Sequence, residues 1–559
     1  MPLYDVKEVL DDTIEDFYQP NAWRSDAMRD VVNLDAMIPR EDFASEKGAA
    51  AGEKGKAEAS KTDLSKGENF YLTLRKPDFQ RETAAWSPEA ICAFLKSFVE
   101  GELIPAVICW QSASRLTFVI DGAHRLSAVI GWLLDDYGAG PESIKLASND
   151  IAPEQRKVHD KTQALINKTI GSYKDIQAEA ANPGSNPKLT AAARSLGNAK
   201  IPLLWVPGND PKKAERAFLT INQSAVQIDP TEFAILTSRS EPNAISSRVV
   251  VRNATGHRYW KDFSAKGQED TVKLGKSVYA KLYSPPLDPP IRTGDLPIAG
   301  HGYGTETLPL IFDFVNIANN ITVVDASKKS KTEIVKDTEK PDETRTLECL
   351  EKTEKLANRF TGRHESSLGL HPAVYFYALN GRHQPTAVLA VGALLMAIEE
   401  KKQFCDFARV RKDFEEFLIN HKMFINQLTG RHGSMAKGFR PMKEYFYLVL
   451  SNFVEGKSEA EIEGVLGAHE KYHWLVKEKP VRTTQVKDFS RSVKNVAVLR
   501  TVLDTASICE LCRARIDLKA MHVDHTLDKS KGGLGTAENA RLLHPFCDST
   551  YKPYLQRGK

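Results

Sequence analysis

The feature that most constrains this chain lies near its end. Cys509 and Cys512 form a C-x-x-C pair, and some thirty residues later His544 and Cys547 form an H-x-x-C pair. Three thiolates and an imidazole are suited to tetrahedral zinc, and a site whose four positions are all protein ligands is structural. A metal can organise so short a segment because ligand bonds replace the apolar burial that it lacks. Between the pairs, Val523-Asp524-His525 reads as a short strand ending in an acid and an imidazole. Gly532-Gly533 then forms a loop, and Asn539 precedes Leu542-Leu543. A structural zinc knuckle that only grips nucleic acid or protein would share the C-x-x-C pair but does not call for the residues between.

In this order the residues resemble the HNH (ββα-metal) nuclease family in its zinc-stapled form. Its pattern is C-x-x-C, hydrophobic-D-H, a GG loop, N, then L-L-C-x-x-C-N/H. Two landmarks differ: His544 stands where a cysteine is usual, and Asp548 where Asn or His usually closes the metal site. Zinc accepts the first change, and a hard Mg²⁺ or Mn²⁺ ion accepts a carboxylate at the second. The resemblance implies that His525 is the general base for water and that Asp524 and Asp548 hold one divalent cation against the scissile phosphate. It implies that Asn539 ties the loop so that the imidazole points correctly. Histidine can take a proton at cellular pH, and a divalent ion stabilises charge developing on a phosphate. His522, one strand repeat earlier, is not a family position and reads as a solvent or phosphate contact.

At 559 residues the chain should hold about two to four domains. A net charge of +3 is too small to mark the whole surface as a polyanion binder, so any nucleic-acid surface must be local. The other cysteines, Cys92, Cys109, Cys349 and Cys405, lack pairing signatures and read as reduced core residues of a cytoplasmic protein. The N-terminus shows no apolar signal segment, and the longest apolar run, Ala387 to Ile398, is too short to span a bilayer. No membrane association is expected.

Along the chain, residues 44–67 are Ala, Gly, Lys, Glu and Ser with almost nothing to bury, the composition of a flexible surface insertion. Ser87-Pro88 starts a helix whose buried face carries Ile91, Leu95, Phe98 and Val99, and a strand follows from Ile104 to Trp110. Leu116 to Ile120 reads as a buried strand that runs through Asp121-Gly122 into a helix from about His124 to Leu134. Such a turn presents helix N–H groups to an anion, with Arg125 placed to clamp phosphate oxygens. An Arg125 surface ion pair at a tight turn is the plainer alternative.

Pro77, Gln80-Arg81, Trp86, Ser97, Gly101, Ile104-Pro105 and Asp121-Gly122-Ala123-His124-Arg125 together resemble the N-terminal domain of GmrSD-type restriction enzymes and SspE, a ParB/sulfiredoxin-like fold. That family reads P-x-x-QR-x-x-x-W, S-h-x-x-G-x-h-I-P, then DGQQR. Here Ala123 and His124 replace the two glutamines, a variant closer to the DGQHR proteins linked to DNA phosphorothioation. The resemblance implies a nucleotide (NTP) pocket lined by Gln80, Arg81, Asp121, Gly122, His124 and Arg125, and extends through Phe218 to Glu232 to include Asn222. Asn222 as a loop cap is the alternative. Gly275-Lys276-Ser277 is not a phosphate-binding loop, because Asp270 stands where the first glycine is required.

From Asn243 to His469 helical spacing dominates: Thr307 to Asn320, Leu347 to Arg359, Pro372 to Leu379, Pro385 to Glu400, Phe404 to Ile419, Pro441 to Phe453 and Glu459 to Ala468. A charged surface loop interrupts it at Ser327 to Thr344. His301, His364, His371, His383, His421 and His432 are dispersed and read as core or surface residues. From Lys471 to Arg500 basic residues interleave with Tyr472, Trp474 and Phe489, a pattern open to either a phosphate-tracking segment or a solvated linker.

The expected architecture is α+β and multidomain. It comprises an N-terminal segment with the insertion (1–70), a ParB-like DGQQR-type sensor or NTP-binding domain (71–242), a mainly α-helical domain (243–470), a basic linker (471–500) and a zinc-stapled ββα-metal nuclease module (501–559). The function implied is a metal-dependent DNA endonuclease of anti-phage defence whose front domain senses modified or foreign DNA, or a nucleotide. One HNH module cuts one strand, so it nicks or acts as a homodimer. A non-cleaving ParB-like nucleotide switch that binds DNA and an RNA-directed nuclease are the alternatives.

Overall fold

The structure, a computed structural model, describes residues 86–475 and 488–558 apart from short gaps, the longest being 225–230 and 324–339, together with 34, 37–38, 40–41 and 73–77. The insertion expected at 44–67 lies outside the described residues, as do Gln80 and Arg81. The chain is α+β, about 58% helical, and divides into two compact units near Asp229. Among the described residues no helix is long and apolar enough to cross a membrane.

In the first unit, strands β1 (Arg40–Glu41), β2 (Leu74–Pro77), β3 (Val107–Gln111), β4 (Thr117–Asp121) and β5 (Leu203–Trp205) form one sheet in the order β1-β2-β4-β3-β5. β3 and β4 are antiparallel, with Trp110 opposite Phe118, and the other pairs are parallel. Helix α1 (Pro88–Val99) starts where predicted: the Ser87 hydroxyl accepts from Ala90 N, Pro88 opens the first turn, and Ile91, Leu95, Phe98 and Val99 are buried. The strand expected from Ile104 pairs only from Val107, because Pro105 has no N–H to give a ladder. Helix α2 (Ala123–Leu134) follows β4 directly. Then come α3 (Pro141–Leu146), α4 (Pro153–Thr169), α5 (Tyr173–Ala181), α6 (Pro187–Leu196) and, after β5, α7 (Pro211–Ser224).

The second unit is built of helices α8 (Pro242–Val251), α9 (Ala265–Tyr283), α10 (Thr307–Ala318), α11 (Glu343–Phe360), α12 (Pro372–Tyr375), α13 (Pro385–Glu400), α14 (Phe404–Asn420), α15 (Lys422–His432), α16 (Phe439–Val454), α17 (Glu459–Ala468) and α18 (Arg491–Thr505). The hairpin β6 (His522–His525) and β7 (Ala540–Leu543) and a final helix α19 (Lys552–Arg557) complete it. α13 is apolar nearly all round and correspondingly buried, and α17 opens with a full Ser458/Glu461 capping box. Gly275-Lys276-Ser277 lies inside α9, where the glycine admits the Val249 side chain.

Two expectations change here. α12 stops at Tyr375 rather than Leu379, because the buried Lys422 ammonium takes the carbonyls of Ala373, Val374 and Tyr377. The stretch expected as a basic linker to 500 is helical from Arg491. Ser490 caps α18, and Asn495, Leu499 and Leu503, four residues apart, form its one buried stripe. A stripe that narrow is easily hidden among polar neighbours. Asn495 itself accepts from Ile291 N at 2.9 Å and donates to the Asn380 carbonyl at 3.0 Å.

Candidate metal centre and active site

The four sequence-predicted zinc ligands converge. Backbone bonds from Cys509 N to Ala514 O and from Arg513 N back to Cys509 O, both 2.9 Å, curl the first pair into a tight turn with Arg513 at φ 60°. The second pair follows β7, Cys547 opening the wide helical turn Cys547–Tyr551 that leads into α19. The ligand atoms of Cys509, Cys512, His544 and Cys547 all lie within 4.8 Å of one another, and all four residues are buried. His544 turns Nδ1 toward the sulfurs of Cys512 (3.3 Å) and Cys547 (3.7 Å), while Nε2 sits 3.0 Å from the Arg515 carbonyl. That carbonyl fixes the tautomer with its proton on Nε2 and a lone pair on Nδ1 for a metal. Hydrogen bonds from Cys512 and Cys547 hold the Cys509 thiol far below the ordinary thiol range. A zinc ion fits this donor set.

The hairpin between the ligand pairs carries the other residues. In its antiparallel register Asp524 faces Arg541 and His525 faces Ala540. Asp524 Oδ2 accepts from Arg541 Nε (3.0 Å), Arg541 Nη2 (2.7 Å) and Lys552 Nζ (2.9 Å), and Lys552 also reaches Asp528 Oδ1 at 2.9 Å. Burial pushes the Asp524 carboxyl up, but Lys552 and Arg541 outweigh it and hold the group below its ordinary value. Asp548 Oδ2 instead pairs with His522 Nδ1 at 2.8 Å. The His525 imidazole, half-buried at the end of β6, makes no side-chain hydrogen bond or ion pair among the described residues.

Asn539 closes the loop after His525. It accepts from Leu527 N (2.7 Å) and donates to the carbonyls of Leu527 (3.1 Å) and Leu534 (2.8 Å). Both glycines are needed: Gly532 sits at φ 87°, and a Cβ on Gly533 would fall 1.7 Å from the Leu527 carbonyl oxygen.

Asp524 and Asp548 offer hard oxygens suited to Mg²⁺ or Mn²⁺, and in each the Oδ2 atom already has a partner within the chain. Asp524 is engaged by Arg541 and Lys552, and Asp548 by His522. The groups of three or more His, Cys, Asp or Glu that close to within 4.8 Å among the described residues are the Cys₃His cluster and His421/Glu459/Glu463. In the latter, His421 Nε2 is 3.1 Å from Glu459 and 3.2 Å from Glu463, and its ring lies between Phe417 and Phe424. This reads as an ion pair pinning the α14–α15 junction to α17. His522, expected as a solvent or phosphate contact, pairs with Asp548 instead, and the spacing argument passed over Arg541, Lys552 and Asp528. Two signals were present: strand alternation puts His522 on the Asp524 face, and hairpin pairing puts Arg541 opposite it.

In the first unit, Gly122 turns β4 into α2 at φ 88°, and α2 begins without a side-chain cap. The Arg125 guanidinium folds back over the glycine, Nη2 donating to Asp121 Oδ2 at 2.9 Å and to the Ala106 carbonyl at 3.0 Å. A Cβ at position 122 would meet that Nη2 at 2.7 Å and Val107 at 2.9 Å. The turn thus carries the Arg125–Asp121 ion pair. His124 stacks on Trp86 with ring centroids 6.1 Å apart. Asn222 falls in α7, its side chain outside the described residues.

Residues 62–238 match the family described as GmrSD restriction endonuclease, N-terminal domain. Among curated proteins and among solved structures nothing matches the chain.

Proposed function

We propose that this protein is a restriction-type DNA endonuclease acting in phage defence, with cleavage carried by the C-terminal hairpin. Two things support the reading: the match of residues 62–238 to the N-terminal domain of a restriction endonuclease family, and a zinc-knot hairpin presenting His525. The observation that carries it is the open imidazole of His525, set beside Asp524 on a strand whose loop Asn539 clamps. There it can take a proton from water as the water attacks phosphorus, in the order the HNH resemblance implies, leaving 5′-phosphate and 3′-hydroxyl ends. Zinc at the Cys₃His centre supplies rigidity and no catalytic step.

A divalent Mg²⁺ or Mn²⁺ requirement belongs to this proposal through the hard oxygens of Asp524 and Asp548. Such an ion would meet carboxylates whose Oδ2 atoms already pair with Lys552 and Arg541, at Asp524, and with His522, at Asp548. The front domain's role in this reading is to sense modified DNA or a nucleotide. Arg125 is held by Asp121 and the Ala106 carbonyl through Nη2, at the start of a helix that has no side-chain cap.

The test is cleavage of plasmid, modified phage DNA and structured RNA by the wild type and His525→Ala, with and without Mg²⁺ and NTPs. DNA cleavage abolished in His525→Ala, with zinc content and fold intact, is the expected result. Cleavage that survives the substitution sinks the proposal. Cutting confined to RNA favours an RNA-directed nuclease, and no cutting by the wild type favours a non-cleaving nucleotide switch. The engaged carboxylates are the observation that keeps this last reading alive.

A further inference from the structure

The zinc knot is clasped by the helical part of its own unit. Gly369, between α11 and α12, lies so close that a Cβ there would sit 2.9 Å from His544 Cδ2. The loop before it is held by Arg411 of α14, which donates to the carbonyls of Leu368 and of Gly369 (3.2 Å) and to Glu415 (2.7 Å), with its side chain 1% exposed. Glu415, fully buried, also accepts from the Tyr375 hydroxyl at 3.0 Å and from the backbone N–H of Arg515. Arg515 is the residue whose carbonyl faces His544 Nε2. Phe546 N donates to Ser367 O at 2.9 Å, and Lys519 reaches the carbonyls of Ser284 and Leu296. One continuous apolar core holds Cys509, Cys512 and Cys547 together with α8 through α18.

We propose that Arg411, Glu415 and Tyr375 form the outer layer of the zinc site, so that zinc loading governs the folding of the helical unit rather than of the tail alone. A buried ion pair keeps its partners only while every polar group around it is satisfied. Without the metal, the turn that carries the Arg515 carbonyl and N–H loses its anchor, and Glu415 and Arg411 lose the surface they pack on. Conversely, a zinc ligand oriented from outside releases its metal faster once that support is cut.

Two measurements on the zinc-loaded full chain test this, neither needing nuclease activity. In the first, zinc is removed from the wild type with a chelator and amide exchange is followed by mass spectrometry. Protection of α13 and α14 should fall together with that of β6 and β7. Loss confined to residues beyond Thr505 overturns the proposal. In the second, zinc release to a chromogenic chelator is timed. Tyr375→Phe, which removes one hydroxyl and keeps the ring, should speed release about threefold to tenfold, and Arg411→Met more. Arg409→Met, on the exposed side of the same helix, should match the wild type. Equal rates for Tyr375→Phe and the wild type count against the outer-layer role even if Arg411→Met fails to fold.

Discussion

The knot and the carboxylate face of the hairpin lie a few residues apart and are built on opposite terms. In the knot, four donors close on one point, burial is complete, and the one imidazole is oriented by a backbone carbonyl. On the face, each carboxylate is met by the chain itself, Asp524 by Arg541 and Lys552 and Asp548 by His522. The difference teaches that this short segment spends its order on the hairpin's shape. A structural ion can be awaited by a finished cage, because nothing there has to move. On the nuclease proposed above, that face gains from exchangeable partners, since a phosphate can compete for Lys552 or Arg541.

The sharpest way to break the contrast is to remove the cage. Cys512→Ser should forfeit zinc and cost most of the metal's folding contribution, on the order of 10 kcal/mol for sites of this kind, read as lost metal content and collapse of the thermal transition. His525→Ala should leave zinc and melting temperature unchanged while lowering cleavage by about 10²- to 10⁴-fold in a nicking assay. A larger loss of stability than of rate would put His525 in the scaffold. Gly533→Ala should destabilise by about 2 kcal/mol or more, because its Cβ cannot fit beside Leu527 O; urea unfolding of the full chain measures it.

The smallest effect concerns Asp524. Its folded carboxyl value is held below the unfolded one, so its pairing stabilises fully above the unfolded value near pH 4 and fades as pH falls through the folded value. Asp524→Asn should cost about 1 kcal/mol at neutral pH and flatten that acid limb of a stability-versus-pH curve. An unchanged limb would mean that Arg541 and Lys552 contribute nothing there.

Several elements could be read from local chemistry. The starts of α1 and α17 are written in Ser87-Pro88 and Ser458, and the extent of α13 in its unbroken apolar run. α18 was obscured because its buried stripe is one residue wide and begins with an asparagine.

The sequence by itself determined the members of the Cys₃His cluster, the strand that carries Asp524 and His525, the loop glycines, and the turn at Gly122, all within reach of spacing, capping or steric rules. Only the tertiary structure decided that Lys552 meets Asp524, that His522 meets Asp548, and that Arg411, about a hundred residues before the knot, supports it. The reason is physical: backbone geometry and metal coordination act over a few residues and leave a pattern in the chain. The partner of a charged side chain is chosen by whatever packing brings within 3 Å, and no local rule encodes that distance.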